Sequence, residues 1–303
     1  SCVAVSSPDR EVKAIGKDAK KLVGKTAEYT EIVFPVYEGE IADMRLAVVM
    51  LKEFLSRIGI RAGRAFARFS VPCGASAELI ADYAALAEEC GLKRLCFVEA
   101  SYLAALGADA VLSESNPVFC LDIGGGVTNA AVLSLDGVIA GLSMNIGGNN
   151  MDANIIDRIE KCKGLHIGAL TAERVKNEIG SLATGARGTT VAEGSLVGAM
   201  RPGSASVRAE EIEPCIRTYI DKILEYAMLV LEKLPAEVAA AVNGNGVYLS
   251  GGVAKISFVP EYIGKKLDMR VHVCDEPQFA VVTGGGVAVR DERLMSKICR
   301  TEE

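Results

Sequence analysis

The chain has no tryptophan and only two histidines, His166 and His272. The missing tryptophan excludes little, but so few histidines argue against a histidine-based metal centre and against a Ser-His-Asp triad. Positive charge is not in excess either. The net charge is -6, so no broad basic face is on offer to a nucleic acid. No apolar run approaches the ~20 residues of a membrane span, and the N-terminus carries no signal-peptide pattern. There is no Cys-x-x-Cys pair; nine cysteines are scattered singly. An odd number without a secretory signal reads as reduced, buried thiols of a cytoplasmic protein. What is present is ordinary: 303 residues, 50% apolar and 24% charged, enough for two domains with large cores.

Residues 118–143 are more specific. Val118-Phe119-Cys120-Leu121-Asp122-Ile123 reads as a buried strand and Gly124-Gly125-Gly126 as a turn. A second strand runs to Leu135, Asp136-Gly137 is a tight turn, and residues 138–143 form a third strand. The glycines let the backbone approach a ligand closely and aim its N–H groups at an anion. Asp122, at the strand end, is then a candidate ligand for a metal ion held by that anion. A glycine-rich hairpin without a ligand is the alternative for this stretch alone.

Upstream, residues 1–6 read as a strand, Pro8-Asp9-Arg10 as a turn, Ile32-Val33-Phe34 as a strand and Glu38-Gly39-Glu40 as a turn. Residues 42–58 carry Leu46, Val49, Met50, Phe54 and Leu55 at helical spacing. The basic stretch 59–68, with Arg61, Arg64 and Arg68, is open to two readings: contact with anionic lipid, or a plain solvated loop. Residues 69–72 form a strand, Ser76 caps a helix over 77–90 that Gly91 ends, residues 95–98 form a strand and 101–107 a helix. This alternation implies a mixed sheet with crossover helices.

Downstream, residues 147–150 read as a turn, 151–161 and 171–182 as helices, and 181–206 as part of a small, loop-rich subdomain. A long helix over 210–234 is stopped by Pro235. Residues 247–250 form a strand running into Gly251-Gly252, residues 271–273 another, and Gly284-Gly285-Gly286 opens a last helix. No low-complexity linker separates independent domains.

Three segments thus place glycine at a strand end or helix start, where N–H groups meet a phosphate or a flat base: 124–126, 251–252 and 284–286. A fourth, Glu173-Arg174-Val175-Lys176, puts Glu173 and Lys176 on one helical face. Alone, that pair reads as a surface ion pair worth ~0–1 kcal/mol. Beside a nucleotide, the carboxylate would hold ribose hydroxyls and the lysine stem would cover a purine.

Together these segments resemble the actin-like, sugar-kinase-like ATPase superfamily and, within it, the MreB-like bacterial actins. The resemblance runs from about residue 15 to residue 288. It is carried, in family order, by residues 14–20, Gly24-Lys25-Thr26, residues 38–43, Val71-Pro72-Cys73-Gly74, the central hairpin, residues 147–152, Ile167-Gly168, and residues 171–180 and 249–253. It implies an actin-like, two-lobed α/β fold around a nucleotide cleft. The first lobe would be 1–117, with a small subdomain at about 11–43, completed by 284–303. The second would be 118–283, with a small subdomain at about 157–208. The resemblance also implies ATP or ADP with Mg2+, the metal at Asp122. Gly124, Gly125, Gly126, Val127 and Thr128 match the second phosphate loop, with Gly148 beside it. Glu173, Arg174, Val175, Lys176, Gly251, Gly252, Val253 and Ala254 match the adenosine contacts.

The chain departs from the family pattern at four places. The family opens with a strand, Asp-Leu-Gly-Thr and a second strand that wrap the β- and γ-phosphates; Ser1 resembles the strand after them, so either this sequence starts beyond that loop or the protein lacks it. Where the family has Glu-Glu-Pro, this chain has Glu99-Ala100-Ser101, and Ala100 replaces a glutamate that helps orient the attacking water. The first threonine of Gly-Gly-Gly-Thr-Thr, a second holder of that water, is Val127, and the third glycine after Leu249 is Val253. Each lost water contact is expected to cost roughly 10²–10³ in rate.

The implied role is structural. The protein would form filaments of itself under the membrane, with cell-shape membrane proteins as partners, a cytoplasmic location, peripheral membrane contact and at most slow ATP hydrolysis. A non-polymerising actin-fold adaptor is the alternative. A sugar kinase would need an acidic base in a larger substrate domain, and a heat-shock-type chaperone would need a peptide-binding domain; neither is evident before Glu303.

Overall fold

The computed structural model describes residues 1–7, 9–25, 29–199 and 201–300. Pro8 of the expected first turn, Thr26 of Gly24-Lys25-Thr26 and Met200 of the 181–206 stretch lie outside the described residues. The chain divides into two compact units: Ser1–Val71, Ala75–Val98 and Cys299–Glu303 in one, Pro72–Gly74 and Glu99–Ile298 in the other. Among the described residues no helix is long and apolar enough to cross a membrane.

In the first unit, β1 (Val3–Ser6), β2 (Val12–Ile15) and β3 (Thr30–Val33) form an antiparallel sheet with β1 in the middle, flanked by the short α1 (Lys17–Lys20). The strands β4 (Val36–Tyr37) and β5 (Glu40–Ile41) pair through a turn whose Glu38 and Gly39 both hold positive φ. Asp43 starts α2 (Met44–Arg57) by accepting a hydrogen bond from the Leu46 N–H. The buried stripe of α2 is Leu46, Ala47 and Met50, whereas Val49 and Phe54, expected inside, are 36% and 38% exposed. Val49 falls off that stripe, and Phe54 lies beside Gly16, where a Cβ would come within 3.4 Å of its ring.

Strands β6 (Phe66–Val71) and β7 (Arg94–Glu99) are linked through α3 (Ala77–Glu89), whose first turn is capped by Ser76 and whose end is marked by Gly91 at φ +77°. Arg300 pairs with Phe97 across an antiparallel bridge, which brings Cys299 beside Cys96, and the two form a disulfide. The expectation that all the cysteines are thiols is corrected accordingly. Cys2, Cys73, Cys90, Cys120 and Cys215 do remain buried thiols.

The second unit begins with α4 (Ala100–Gly107). The strands β8 (Val118–Ile123), β9 (Thr128–Ser134) and β10 (Gly137–Met144) then run antiparallel through the two expected turns. Strand β8 is buried along its whole length, a continuous apolar run broken only by Asp122. The helices α5 (Gly148–Lys163), α6 (Ala169–Ile179) and α7 (Ala209–Leu231) share one core cluster with it, α7 contributing Ile212, Ile216, Ile220, Ile223, Ala227 and Val230.

In the stretch expected to be loop-rich with strand-like pieces at Thr189-Thr190-Val191, the strand character is real and extends further than those three residues. The stretch forms β12 (Thr189–Leu196) and β13 (Pro202–Arg208), an antiparallel ribbon extended by β11 (Leu165–His166). Its small residues serve close pairing: a Cβ on Gly194 would lie 2.1 Å from the His166 carbonyl oxygen. Pro235, besides ending α7, opens α8 (Ala236–Asn245), which the sequence reading omits. Strands β14 (Val247–Ser250) and β15 (Val271–Val273), separated by α9 (Val259–Leu267), complete the central sheet in the order β10-β9-β8-β14-β15, with β8, β14 and β15 parallel.

The last glycine triplet does not open a helix. Gly284, Gly285 and Gly286 lie inside α10 (Ala280–Ala288), which is followed by α11 (Glu292–Ile298). The reason is helix packing. A Cβ on Gly107 would sit 1.9 Å from the Ala280 carbonyl oxygen, and one on Gly284 would sit 1.8 Å from that of Leu103. Helices α4 and α10 therefore meet backbone to backbone. Gly284→Ala is expected to lower the unfolding free energy by about 3 kcal/mol, because the overlapped atom is backbone and cannot rotate away. Gly285→Ala, whose Cβ would meet nothing within 4 Å, is expected to raise it by up to about 1 kcal/mol. Urea titration of the two variants checks this opposite pair of signs.

Candidate functional site

Because β8 and β14 are parallel neighbours, the turns that follow them leave from the same edge of the sheet. Gly251 sits at φ +86°, with Ile123 O only 2.1 Å from where a Cβ would be, so no side chain fits there. In the turn after β8, the Gly124 N–H donates to Val127 O at 2.9 Å, while the N–H groups of Gly125, Gly126 and Val127 donate to nothing among the described residues. Helix α5 is seated on this turn: Gly148 N–H donates to Gly124 O at 3.0 Å and Asn149 N–H to Gly125 O at 2.7 Å. Asn150 accepts from the Gly147 N–H at 2.8 Å. The expected turn at 147–150 is therefore mostly the first turn of α5. Gly147 permits the approach, since a Cβ there would lie 2.6 Å from both loop carbonyl oxygens.

Next to this loop lies a cavity of about 480 Å³, within the usual size of a small-ligand site. The loop and α5 contribute Gly124, Gly125, Gly148, Asn149 and Asp152 to its wall; α6 contributes Glu173, Lys176 and Asn177. Gly252, Val253, Lys255 and Ile256 follow β14, and Gln278 comes from the turn after β15. All of these residues belong to the second unit.

The cavity brings together Gly124, Gly125, Gly148, Glu173, Lys176, Gly252 and Val253 from the residues singled out in the sequence. Gly126, Val127, Gly251 and Ala254 adjoin it without lining it. Val175 is fully buried in the core, on the α6 face that also carries Ala172. Arg174 points to the ribbon, donating to Glu178, Thr190 and the Val191 carbonyl. Thr128 is fully buried, and its hydroxyl donates to Ile146 O at 2.6 Å.

Lys176 is neither a surface partner of Glu173 nor a loose stem over a ligand. Its ammonium lies 2.9 Å from Gly148 O and 2.9 Å from both Asp152 carboxylate oxygens, with the two side chains 7% and 11% exposed. It is a buried cation that ties α6 to the first turns of α5.

Asp122 accepts a hydrogen bond from the Ser250 hydroxyl at 2.8 Å. Burial pushes its carboxyl above the usual carboxylate range, while hydrogen bonds from Ser250 and Asn129 pull the other way. No group of three or more His, Cys, Asp or Glu among the described residues can hold a metal ion. The protein thus presents no closed Mg2+ site at Asp122. An ion there would draw most of its oxygens from water and phosphate, as Mg2+ commonly does.

Several lining residues escaped the sequence reading. Asn177 did carry a signal, since positions 173, 176 and 177 share a helical face. Lys255 and Gln278 carried none, because two separate turns bring them together.

A mixed sheet ending in two glycine turns, with a ligand-sized pocket at its edge, defines an actin-like protein. The family model described as MreB/Mbl protein matches residues 1–297, and the chain belongs to this family of cell shape-determining proteins. It is 31% identical over 293 residues to the cell shape-determining protein MreB of Escherichia coli K12, covering 92% of this chain and 82% of that one. MreB5 of Spiroplasma citri bound to AMPPNP superposes with a TM-score of 0.92 at 28% identity, covering 98% of this chain and 89% of the other. The MamK double helical filament gives 0.81 at 20% identity over 96% and 91% of the two chains, a likeness of fold.

Proposed function

We propose that the chain is a nucleotide-dependent, filament-forming actin of the cell-shape apparatus, binding ATP or ADP in the cavity of its second unit. The observation that carries this reading is the row of unpartnered N–H groups at Gly125, Gly126 and Val127 beside a cavity walled by Glu173 and Asn177. Oriented N–H groups on successive residues suit phosphate oxygens, and a carboxylate with a carboxamide suits ribose hydroxyls. Gly252, Val253 and Ile256 offer a flat, largely apolar wall to a base. The reading is supported by MreB5 of Spiroplasma citri, solved with AMPPNP and with ADP, and by the filament of MamK. Bound ATP supplies the scissile phosphoanhydride; the chain supplies N–H donors and a wall that mixes polar and apolar residues. Titration calorimetry with ADP tests it: micromolar binding is expected, at least tenfold weaker in Glu173→Ala. A wild-type protein that binds neither ADP nor AMPPNP overturns it.

The same reading includes self-association along open filaments, which heterologous contacts build when their rotation does not close. It further includes a cytoplasmic location and a membrane-facing patch on the first unit. There, Ile58, Ile60 and Phe66 are exposed, and Arg68 and Arg94 lie 4.3 and 5.1 Å from the Phe66 ring. Apolar side chains among cations suit an anionic lipid surface. Sedimentation with and without ATP, and with anionic vesicles, checks both: pelleting is expected with ATP and with vesicles but not when both are left out, and a protein that stays in the supernatant throughout favours the non-polymerising adaptor.

A further inference from the structure

We infer that the Cys96–Cys299 bond is a reversible latch, opened and closed by small-molecule thiols, that sets whether residues 299–300 stay on the edge of β7. The inference goes beyond the nucleotide and filament reading and takes from it only the cytoplasmic location.

The latch sits where the chain changes units. The chain passes between the two units after Val71, Gly74, Val98 and Ile298. Cys96 lies just before the third of these crossings and Cys299 directly after the fourth. The bond, with a sequence separation of 203, therefore closes a loop that holds all of the second unit except Pro72–Gly74. The two bonded residues both belong to the first unit.

The strand pairing of residues 299–300 with that unit is slight. Phe97 and Arg300 exchange two backbone hydrogen bonds, each 2.8 Å long, in an isolated bridge. One bridge is too little for a strand to persist by itself; the sulfur bond turns it into a fixed edge. Helix α11, just before, is anchored separately. Its Leu294, Met295 and Ile298 are buried, and Lys297 lies 2.5 Å from Glu114 and 2.8 Å from Asp136. Opening the bond thus frees a short segment and leaves the preceding helix docked. That difference separates a latch from a structural staple.

Access is one-sided. Cys96 is fully buried, whereas Cys299 is half-buried, so an outside thiolate reaches the Cys299 sulfur. Its attack forms a mixed disulfide at Cys299, and the Cys96 sulfur leaves with the bonding pair and takes a proton. A second thiolate attacks the small-molecule sulfur of that mixed disulfide, and Cys299 leaves and takes a proton. Two small thiols are thereby oxidised to one disulfide, and the protein bond is reduced to two thiols. Competing exchange is suppressed, because burial pushes the Cys2, Cys90, Cys120 and Cys215 thiols up and keeps them from forming thiolate. Closure needs the folded chain. Residues so far apart in sequence seldom meet when unfolded, but here their Cα atoms are 5.9 Å apart. Disulfides in reducing compartments are mostly transient or sensing ones.

The experiment equilibrates the full chain, with the exposed Cys162 changed to serine, in glutathione buffers from reducing to oxidising. Mass spectrometry after thiol capping gives the bonded fraction, hydrogen exchange follows the Phe97 amide, and circular dichroism follows folding. The bond is expected to open at cytoplasm-like reducing ratios and to reform on oxidation. Opening should speed exchange at Phe97 by roughly tenfold or more, with circular dichroism and α11 protection unchanged. Cys299→Ser in oxidising buffer should exchange as the reduced protein does. Arg300→Pro removes the bridge's N–H donor, and should need a glutathione ratio about 3- to 10-fold more oxidising to close the bond. A bond that survives the reducing ratios, thiols that never pair, Phe97 exchange that is the same in both states, or reduction that unfolds the chain would each overturn the inference and leave nucleotide binding untouched.

Discussion

Replacing Ala100 with glutamate and Val127 with threonine together is expected to speed phosphate release from bound ATP by roughly 10²–10³, the scale of known positioning and charge-stabilising groups. The unmodified chain is expected to be correspondingly slow. By family resemblance these are the two positions that hold the attacking water, and neither side chain here has a polar atom. The obvious substitutes are occupied. The Thr128 hydroxyl is fully buried and spent on Ile146 O. Glu99 is buried and turned to the Gly74 N–H at 3.5 Å, so its carboxylate cannot swing out without abandoning that position. Ala100 is the first residue of α4, where the helix dipole favours a carboxylate, but it is also buried, so circular dichroism is to confirm that the double variant folds. Phosphate release is to be measured together with ADP affinity, which should stay unchanged. Brisk turnover by the unmodified chain would sink the claim, as would a double variant that binds nucleotide normally and gains nothing.

Removing the Lys176 ammonium should destabilise the fold by about 3–5 kcal/mol, the usual cost of stranding one member of a buried ion pair. Lys176→Met keeps the bulk of the stem but leaves the Asp152 carboxylate without its cation in a site where both side chains are nearly buried. It also withdraws the donor from Gly148 O. Lys176→Met with Asp152→Leu removes both charges and should recover most of the loss, since the pair's attraction is largely offset by the desolvation of its members. Chemical denaturation of wild type, single and double variants separates these terms. A single variant within about 1 kcal/mol of wild type would show that solvent, not Lys176, holds Asp152.

Much of the site was legible because its signals are local. The β8–β10 meander announces itself through an apolar run, a glycine turn and an Asp-Gly turn. Ser76 and Gly91 bracket α3 by capping chemistry that any sequence displays. The three-residue spacing of Glu173 and Lys176 does put both at the cavity. The errors occur where a residue's partner is distant. Lys176 answers to Asp152, two dozen positions earlier, and not to its helical neighbour. Gly284 has the look of an anion loop, but Leu103 O explains it. The ribbon of β12 and β13 is written in glycine, serine and threonine, a loop composition, because pairing across strands asks little of small side chains. Cys96 and Cys299 stand 203 residues apart, a distance at which no spacing rule applies.

The seating of α5 on the glycine turn has a mechanical consequence. Two hydrogen bonds and one absent side chain clamp the rod at its first turn, so turn and rod move as one body. At its other end the rod runs into the ribbon: Gly164 O accepts from the Val197 N–H, and β11 follows at once. Sixteen residues of helix make a lever about 24 Å long. A tilt of about five degrees at the clamp sweeps the far end by about 2 Å over that length. Because Lys176 also ties α6 to the first turns of the rod, the two helices would share any such tilt.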